Sequence, residues 1–219
     1  MKMVRNKLVI ALIFIFLFGF QFISAHQPRI VYDKTNVYEN ISNPEISQAF
    51  YGELKGNPDY YVINSNSYFN LYLNILSPDI NNTRKDFSFE VFSKNENFTI
   101  SGTNWTLFYE EFGGDSYWKG PEFEKNVSAG IYTIEVTNPG NEGRYSLAVG
   151  KIESFPLGES LKSIYAIFRL KHDFFNKSYF AFFEGLIGKM VGGIFLIIAL
   201  IIGLVIFFVK KSKKKRKSR

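Results

Sequence analysis

Cysteine is missing from all 219 positions, and histidine occurs only twice, at His26 and His172. Without cysteine there is no disulfide framework and no thiolate-ligated metal site. Two histidines this far apart give no basis for a Ser-His-Asp or Cys-His arrangement, or for a histidine-ligated zinc. The G-x-S-x-G, H-E-x-x-H, phosphate-loop and dinucleotide fingerprints, each of which ties a spacing to a reaction, are absent too. The chain is expected not to be an enzyme.

Acidic residues are missing from both ends. Residues 1–25 carry Lys2, Arg5 and Lys7, and residues 189–219 carry nine basic residues, eight of them in the closing KKSKKKRKSR. Residues 26–188 hold all 20 Asp and Glu against 14 Lys and Arg, so the formal net charge of +6 conceals a middle of −6. The basic tail has no interleaved aromatics and no folded basic face beside it, which argues against nucleic acid as a partner.

Each basic end flanks an apolar run. LVIALIFIFLFGF, residues 8–20, follows a basic start and is followed by small residues. This layout predicts a secretory signal over 1–25, cut after Ala25, with an uncut signal anchor as the alternative. MVGGIFLIIALIIGLVIFFV, residues 190–209, has no charge and suits a bilayer core of about 30 Å. A single transmembrane helix is predicted over 186–209. Positive residues stay inside, so 210–219 is read as a cytoplasmic tail and 26–155 as an extracytoplasmic domain at the cell membrane. Membrane lipid is the expected partner of this end: Phe180, Phe182 and Phe183 at the head groups, Lys189 snorkelling, and Lys210 and Lys211 on anionic lipid. Gly188 and Gly192 form one G-x-x-x-G, a candidate homodimer contact.

Acceptor triplets N-x-S/T begin at Asn40, Asn81, Asn97, Asn104, Asn126 and Asn176. The first five are candidate glycosylation sites on an exported surface; Asn176 falls close to the membrane.

Between the apolar ends the period is mostly two. YFNLYLNIL at 68–76 places Phe69, Leu71, Leu73 and Ile75 on one face, DFSFEVF groups Phe87, Phe89 and Val91, and AGIYTIEVTN groups Tyr132, Ile134 and Val136. RYSLAVG follows the turn-forming NPGNEG and is read with the preceding strand as an antiparallel hairpin. Weaker strand patterns lie near 29–32, 46–55, 60–65, 96–100 and 105–112, and GGDSYWKGP at 113–121 reads as an exposed loop. Seven or eight short strands predict an all-β antiparallel sandwich or jelly roll over 26–155. Residues 157–185 switch to a helical period, with Leu161, Ile164, Tyr165, Phe168 and Phe175 against a polar side and Ser160 as a cap. This amphipathic helix could lie on the outer leaflet, pack on the sandwich, or dock another subunit.

Glu110, Glu111 and Asp115 in YEEFGGDSYW form a candidate weak calcium site, since Ca²⁺ takes oxygens from flexible loops. An acidic solvated loop is the plainer reading, and a paired-carboxylate glycosidase the remote one. Trp105, Tyr117 and Trp118 are candidate sugar-stacking residues, with core or turn packing as the alternative.

ISQAFYGELKGNPDYYVINSNSYFNLYLNILSP together with SAGIYTIEVTNPGNEGRYSLAVG resembles the bacterial and archaeal pre-peptidase C-terminal type of β-sandwich, over about residues 44–150. The matching positions are Asp59 and Tyr61, then Gly130, Tyr132, Ile134, Val136, Gly143, Tyr145 and Leu147. The resemblance implies a non-catalytic domain that binds or assists export. Here no attached peptidase is expected, and the domain is expected to carry its own anchor. The expected function is a single-pass surface or envelope protein whose sandwich binds a protein or glycan. The alternative is an accessory subunit of a membrane secretion or peptidase complex docking through 157–209. Protease added to intact cells should digest the middle of the chain and spare an epitope fused after Arg219; the reverse outcome would invert the topology.

Overall fold

The structure, a computed structural model, describes residues 26–94 and 96–217; the signal sequence read at 1–25 lies outside the described residues. Its strands are β1 Gln27–Ile30, β2 Tyr38–Ile41, β3 Gln48–Lys55, β4 Asp59–Ser65, β5 Phe69–Pro78, β6 Ser88–Ser93, β7 Asn97–Ile100, β8 Thr106–Glu110, β9 Asp115–Val127, β10 Gly130–Thr137 and β11 Glu142–Val149. They form a six-stranded sheet in the order β1-β3-β11-β5-β9-β8 and a five-stranded sheet in the order β2-β4-β10-β6-β7. Parallel pairing occurs at β1 with β3 and β2 with β4; the other pairs are antiparallel. The chain is an all-β sandwich followed by helices.

The alternating apolar positions close the sandwich. Phe69, Leu71, Leu73 and Ile75 of β5 and Leu147 and Val149 of β11 share one core with Phe89 and Val91 of β6 and Tyr132, Ile134 and Val136 of β10. Inside it, the Tyr61 hydroxyl lies 2.8 Å from that of Tyr145, which donates to Asp59 Oδ2 at 2.6 Å, and the Val37 N–H donates to Asp59 Oδ1 at 3.3 Å. The Asp-x-Tyr and Gly-x-Tyr signatures, more than 80 residues apart, thus meet as one buried polar triad. Its role is structural: a polar group in an apolar core is tolerated when its partners are present.

Three expectations for the sandwich change. Eleven strands are present among the described residues, more than the seven or eight read from periodicity. Residues 113–121 are not an exposed loop: they hold a tight turn and the start of β9, the longest strand, with Asp115 and Tyr117 buried. Gly120 and Pro121 disguise that strand. The register slips there between Asn74 and Leu76, and the Asn74 amide fills the gap by donating to Gly120 O and Pro121 O at 3.2 and 3.0 Å. Proline in a sheet interior is confined to such bulges. Lastly, β10 and β11 are not a hairpin. They belong to different sheets, and NPGNEG is an arch closed by the Asn138 side chain, which donates to Glu142 O and accepts from Glu142 N–H.

A third layer follows the sandwich: helix α1 Leu157–Asp173, a 3₁₀ turn Tyr179–Phe183, and helix α2 Leu186–Lys217. Ser160 lies inside α1 rather than capping it, its hydroxyl donating back to Pro156 O at 3.3 Å.

Burial raises the Asp59 carboxyl above its ordinary range, opposed by the Tyr145 hydroxyl and the Val37 N–H. A carboxyl whose folded pKa exceeds its unfolded one stabilises the fold at low pH and loses that contribution as pH rises through the folded value. Tyr145→Phe should therefore cost about 1–3 kcal/mol by leaving Asp59 short of a donor, with a larger loss at pH 8 than at pH 4. Asp59→Asn should flatten this pH slope in urea unfolding of the detergent-solubilised protein.

Candidate functional site

Part of the outer face of the six-stranded sheet is shielded from solvent, whereas its far end, with Glu122, Glu124 and Asn126 of β9, stays exposed. Helix α1 turns Ala166, Ile167, Leu170, Lys171 and Ser163 onto the shielded part. Leu170, Phe174 and Phe175 pack with Tyr32 and Tyr117 against Tyr51 and Leu76. Phe174 meets Tyr51 edge-on with ring centres 5.1 Å apart, and Phe175 meets Tyr117 at 5.3 Å. Aromatic pairs in this geometry add about 0.5–1.5 kcal/mol beyond their buried area. Of the three fates read for the amphipathic helix, packing on the sandwich is the one its buried side takes.

One carboxylate fixes the register of this layer. Lys171 is fully buried and Asp115 is 3% exposed; Lys171 Nζ donates to Asp115 Oδ2 at 2.6 Å and to Gly114 O at 3.2 Å. Lys177 Nζ donates to the other oxygen, Oδ1, at 2.8 Å. Burial pushes the Lys171 ammonium down from its ordinary pKa, with Asp115 pulling the other way. Beyond α1, Arg144 Nη1 donates to Phe174 O at 2.7 Å and to Asn176 Oδ1 at 2.9 Å. The descending chain is thereby turned at a residue with positive φ.

The β8–β9 turn carries the contact onward. Glu110 accepts the N–H groups of Phe112 and Gly113, both at 2.7 Å, which shapes the turn. Burial raises the Glu110 carboxyl, and those two N–H groups oppose the rise. Phe112 inserts between Ile167, Phe182 and Ile187. The backbone then bonds directly to the last helix, Leu186 N–H to Glu111 O at 3.0 Å and Ile187 N–H to Phe112 O at 3.1 Å. Gly185 lies flat against Gly113 and Gly114, where any side chain would collide with backbone. From Leu186 to Lys211 runs a helical stretch of 26 residues whose most apolar 18-residue window has mean hydropathy 3.1, long and apolar enough to cross a membrane. A cavity of about 530 Å³ lies under the joint, with Tyr51, Glu110, Asp115, Tyr117, Phe175 and Leu186 in its wall.

The residues singled out from sequence are placed as follows. Glu110 and Asp115 are neighbours across the hairpin, but each is engaged as above, and Glu111 faces outward. Among the described residues no group of three or more His, Cys, Asp or Glu is placed to hold a metal ion. The cation that Asp115 meets is a lysine ammonium. Trp105, Tyr117 and Trp118 do not form one platform: Trp105 packs on the sandwich core, Tyr117 lies under α1, and Trp118 donates to Asp79 Oδ1 at 3.0 Å with Lys85 over its ring. Phe180 is 81% exposed and Phe183 45%, whereas Phe182 is buried beneath α1 and does not share their surface. Gly188 and Gly192 face their own chain, Gly188 against the Phe182 carbonyl and Gly192 against the Phe183 ring. Lys189, Lys210 and Lys211 are exposed, as are Asn40, Asn81, Asn97, Asn104 and Asn126. Sequence reasoning missed Lys171, assigned to the polar side of its helix; its immediate neighbour Leu170 and the Phe174–Phe175 pair were the available signal.

No protein-family model matches the chain, and no curated protein matches it. Among solved structures, the chain is similar to the pre-peptidase C-terminal domain of a collagenase from Bacillus anthracis. The identity is 15% and the TM-score 0.33, over 53% of this chain and 96% of that one. That domain is of the type the Asp59, Tyr61 and Tyr145 signatures resemble. The chain is also similar to part of the catalytic domain of a GH87 α-1,3-glucanase in complex with tetrasaccharides, with 11% identity and a TM-score of 0.27 over 48% of this chain and 22% of that one. Likeness at this level concerns the path of the chain alone.

Asp115→Ala should cost about 3–5 kcal/mol, because it leaves Lys171 buried without a counter-charge. Lys171→Met should cost less, since Asp115 keeps Lys177. Limited proteolysis between residues 150 and 185, slow in the parent protein, should report both.

Proposed function

We propose that the protein is a non-catalytic, single-pass surface protein whose sandwich is held flush against the outer leaflet and offers the five-stranded sheet to a protein or glycan ligand. The observation that carries this reading is the asymmetry of the two sheets. Helix α1 covers the outer face of the six-stranded sheet around Tyr51, Leu76 and Tyr117, whereas among the described residues no helix packs across the outer face of the five-stranded sheet. Across that face β2, β4, β10, β6 and β7 place Tyr38, Tyr60, Glu135, Glu90 and Thr99 in one row. The next row runs Asn40, Val62, Thr133, Phe92 and Asn97, so an acceptor asparagine marks each end of it. Exposed Tyr38 and Ile131 supply apolar contact.

The basic tail after Lys210 supports a cytoplasmic C-terminus by the positive-inside rule. The exposed acceptor asparagines support an outside address for the sandwich. Phe180 and Phe183 sit where the apolar helix begins, and Leu157, Leu161, Tyr165 and Phe168 continue an exposed apolar stripe along α1. Amphipathic rings at this level suit head groups, and the stripe suits the acyl boundary. The same stripe favours one second reading, that of a subunit docking through residues 157–209.

The absence of native cysteine makes the test direct. A nitroxide at Phe180→Cys or Leu161→Cys in proteoliposomes should be reached by oxygen and shielded from an aqueous relaxation agent, while one at Tyr38→Cys should show the opposite. A label at Leu161→Cys that stays aqueous, with a stoichiometric membrane protein co-purifying and lost on Phe168→Asp, would replace the lipid reading with the subunit one. Ligand binding by the parent protein, measured on glycan and envelope-protein panels, should fall at least tenfold on Ile131→Asp.

A further inference from the structure

Lys171 and Asp115 are more than an ion pair by position. The amine lies 2.6 Å from Oδ2, and its second acceptor is a backbone carbonyl. Neither side chain reaches water. Lys177 holds Oδ1 from the far side at 2.8 Å and is itself about one-third exposed. Glu110 pairs with Asp115 across the β8–β9 hairpin, and Glu110 Oε2 and Asp115 Oδ2 border the same vacant position beside the Cα of Gly113. Tyr51, Tyr117, Leu170 and Phe175 wall the group, and the cavity beneath the joint opens onto it.

We propose that Lys171 and Asp115 condense to an intramolecular isopeptide bond, with Lys177 holding the acyl oxygen and Glu110 relaying the proton. In the ion pair, the ammonium first gives a proton to Oδ2, leaving a neutral amine and a carboxylic acid. Burial lowers the Lys171 pKa, which eases release of that proton. The Nζ lone pair then attacks Cγ, forming the Nζ–Cγ bond, and the charge that develops on Oδ1 is met by the Lys177 ammonium. Attack of this kind needs reacting atoms about 3–3.5 Å apart, and Cγ is the atom next to the oxygen already in contact. Through one water in the adjoining cavity, which Glu110 and Asp115 both line, Glu110 takes a proton from Nζ and delivers it to Oδ2; the Cγ–Oδ2 bond breaks, and the water formed leaves into the cavity as the Cγ–Oδ1 double bond returns. An ammonium and a carboxylate become a secondary amide and one water; nothing is oxidised or reduced. The product ties β9 to α1 across 56 residues and supplies, in a chain without cysteine, the covalent staple that a disulfide gives elsewhere.

The full-length protein, extracted from membranes in mild detergent, tests this by mass spectrometry. A digest should contain the Asp115 and Lys171 peptides as one linked species, lighter than their sum by one further water, about 18 Da. Recovery of the two peptides separately at full mass would overturn the proposal, as would a water loss confined to the Asp115 peptide or a link through Lys177. Lys171→Arg keeps the charge and should show no link. Glu110→Gln should lower the linked fraction at least tenfold with an unchanged circular dichroism spectrum, and Glu110→Asp should restore part of it. Equal linkage in Glu110→Gln would remove Glu110 from the scheme while leaving the bond.

Discussion

The Asp115 carboxylate is the point on which the outer layer of this protein depends. It starts the longest strand, lies opposite Glu110 in the hairpin that touches the final helix, and receives one lysine from the last turn of α1 and another from the segment that joins α1 to the 3₁₀ turn. Buried ion pairs are weak contributors to net stability but strong determinants of arrangement, because breaking one leaves an uncompensated charge. Here the arrangement is the seat of α1. With Lys171 fixed, Leu170, Phe174 and Phe175 fall onto Tyr51, Tyr117 and Leu76, and the exposed stripe from Leu157 to Phe168 must face away from the sheet.

This gives α1 two apolar sides of different use. One completes a third layer over part of the six-stranded sheet, where β11 therefore carries buried residues on both faces. The other, with Leu157, Leu161, Tyr165 and Phe168, stays exposed. Packing on the sandwich thus accounts for one side of the helix only, and a single apolar stripe is too simple a description of it.

Much of the sandwich was legible because burial on one face imposes period two. Phe69 to Ile75, Phe87 to Val91 and Tyr132 to Val136 all sit in the core that their alternation predicted. The apolar span at 190–209 was equally plain. What stayed hidden depends on contacts distant in sequence. β9 is interrupted by Gly120 and Pro121, whose turn-like chemistry serves a bulge. β10 and β11 read as a hairpin because local sequence shows a reversal but not which sheet the chain re-enters. The cluster Glu110, Glu111 and Asp115 reads in sequence as an acidic solvated loop or a weak calcium site; Glu110 instead accepts two backbone N–H groups and Asp115 accepts from Lys171 and Lys177. Lys171 could not be foreseen there, since it arrives on a helix that local periodicity turned the other way.

The backbone contact between Gly114 and Gly185 removes any stalk between the sandwich and its final helix. In the proposed topology the open sheet consequently stands at one height and one tilt, like a sign bolted to a post and not hung from a chain. A ligand on the same membrane has to present its epitope at that level. Pulling on a bound ligand would load the helix at once, with no slack to take up first.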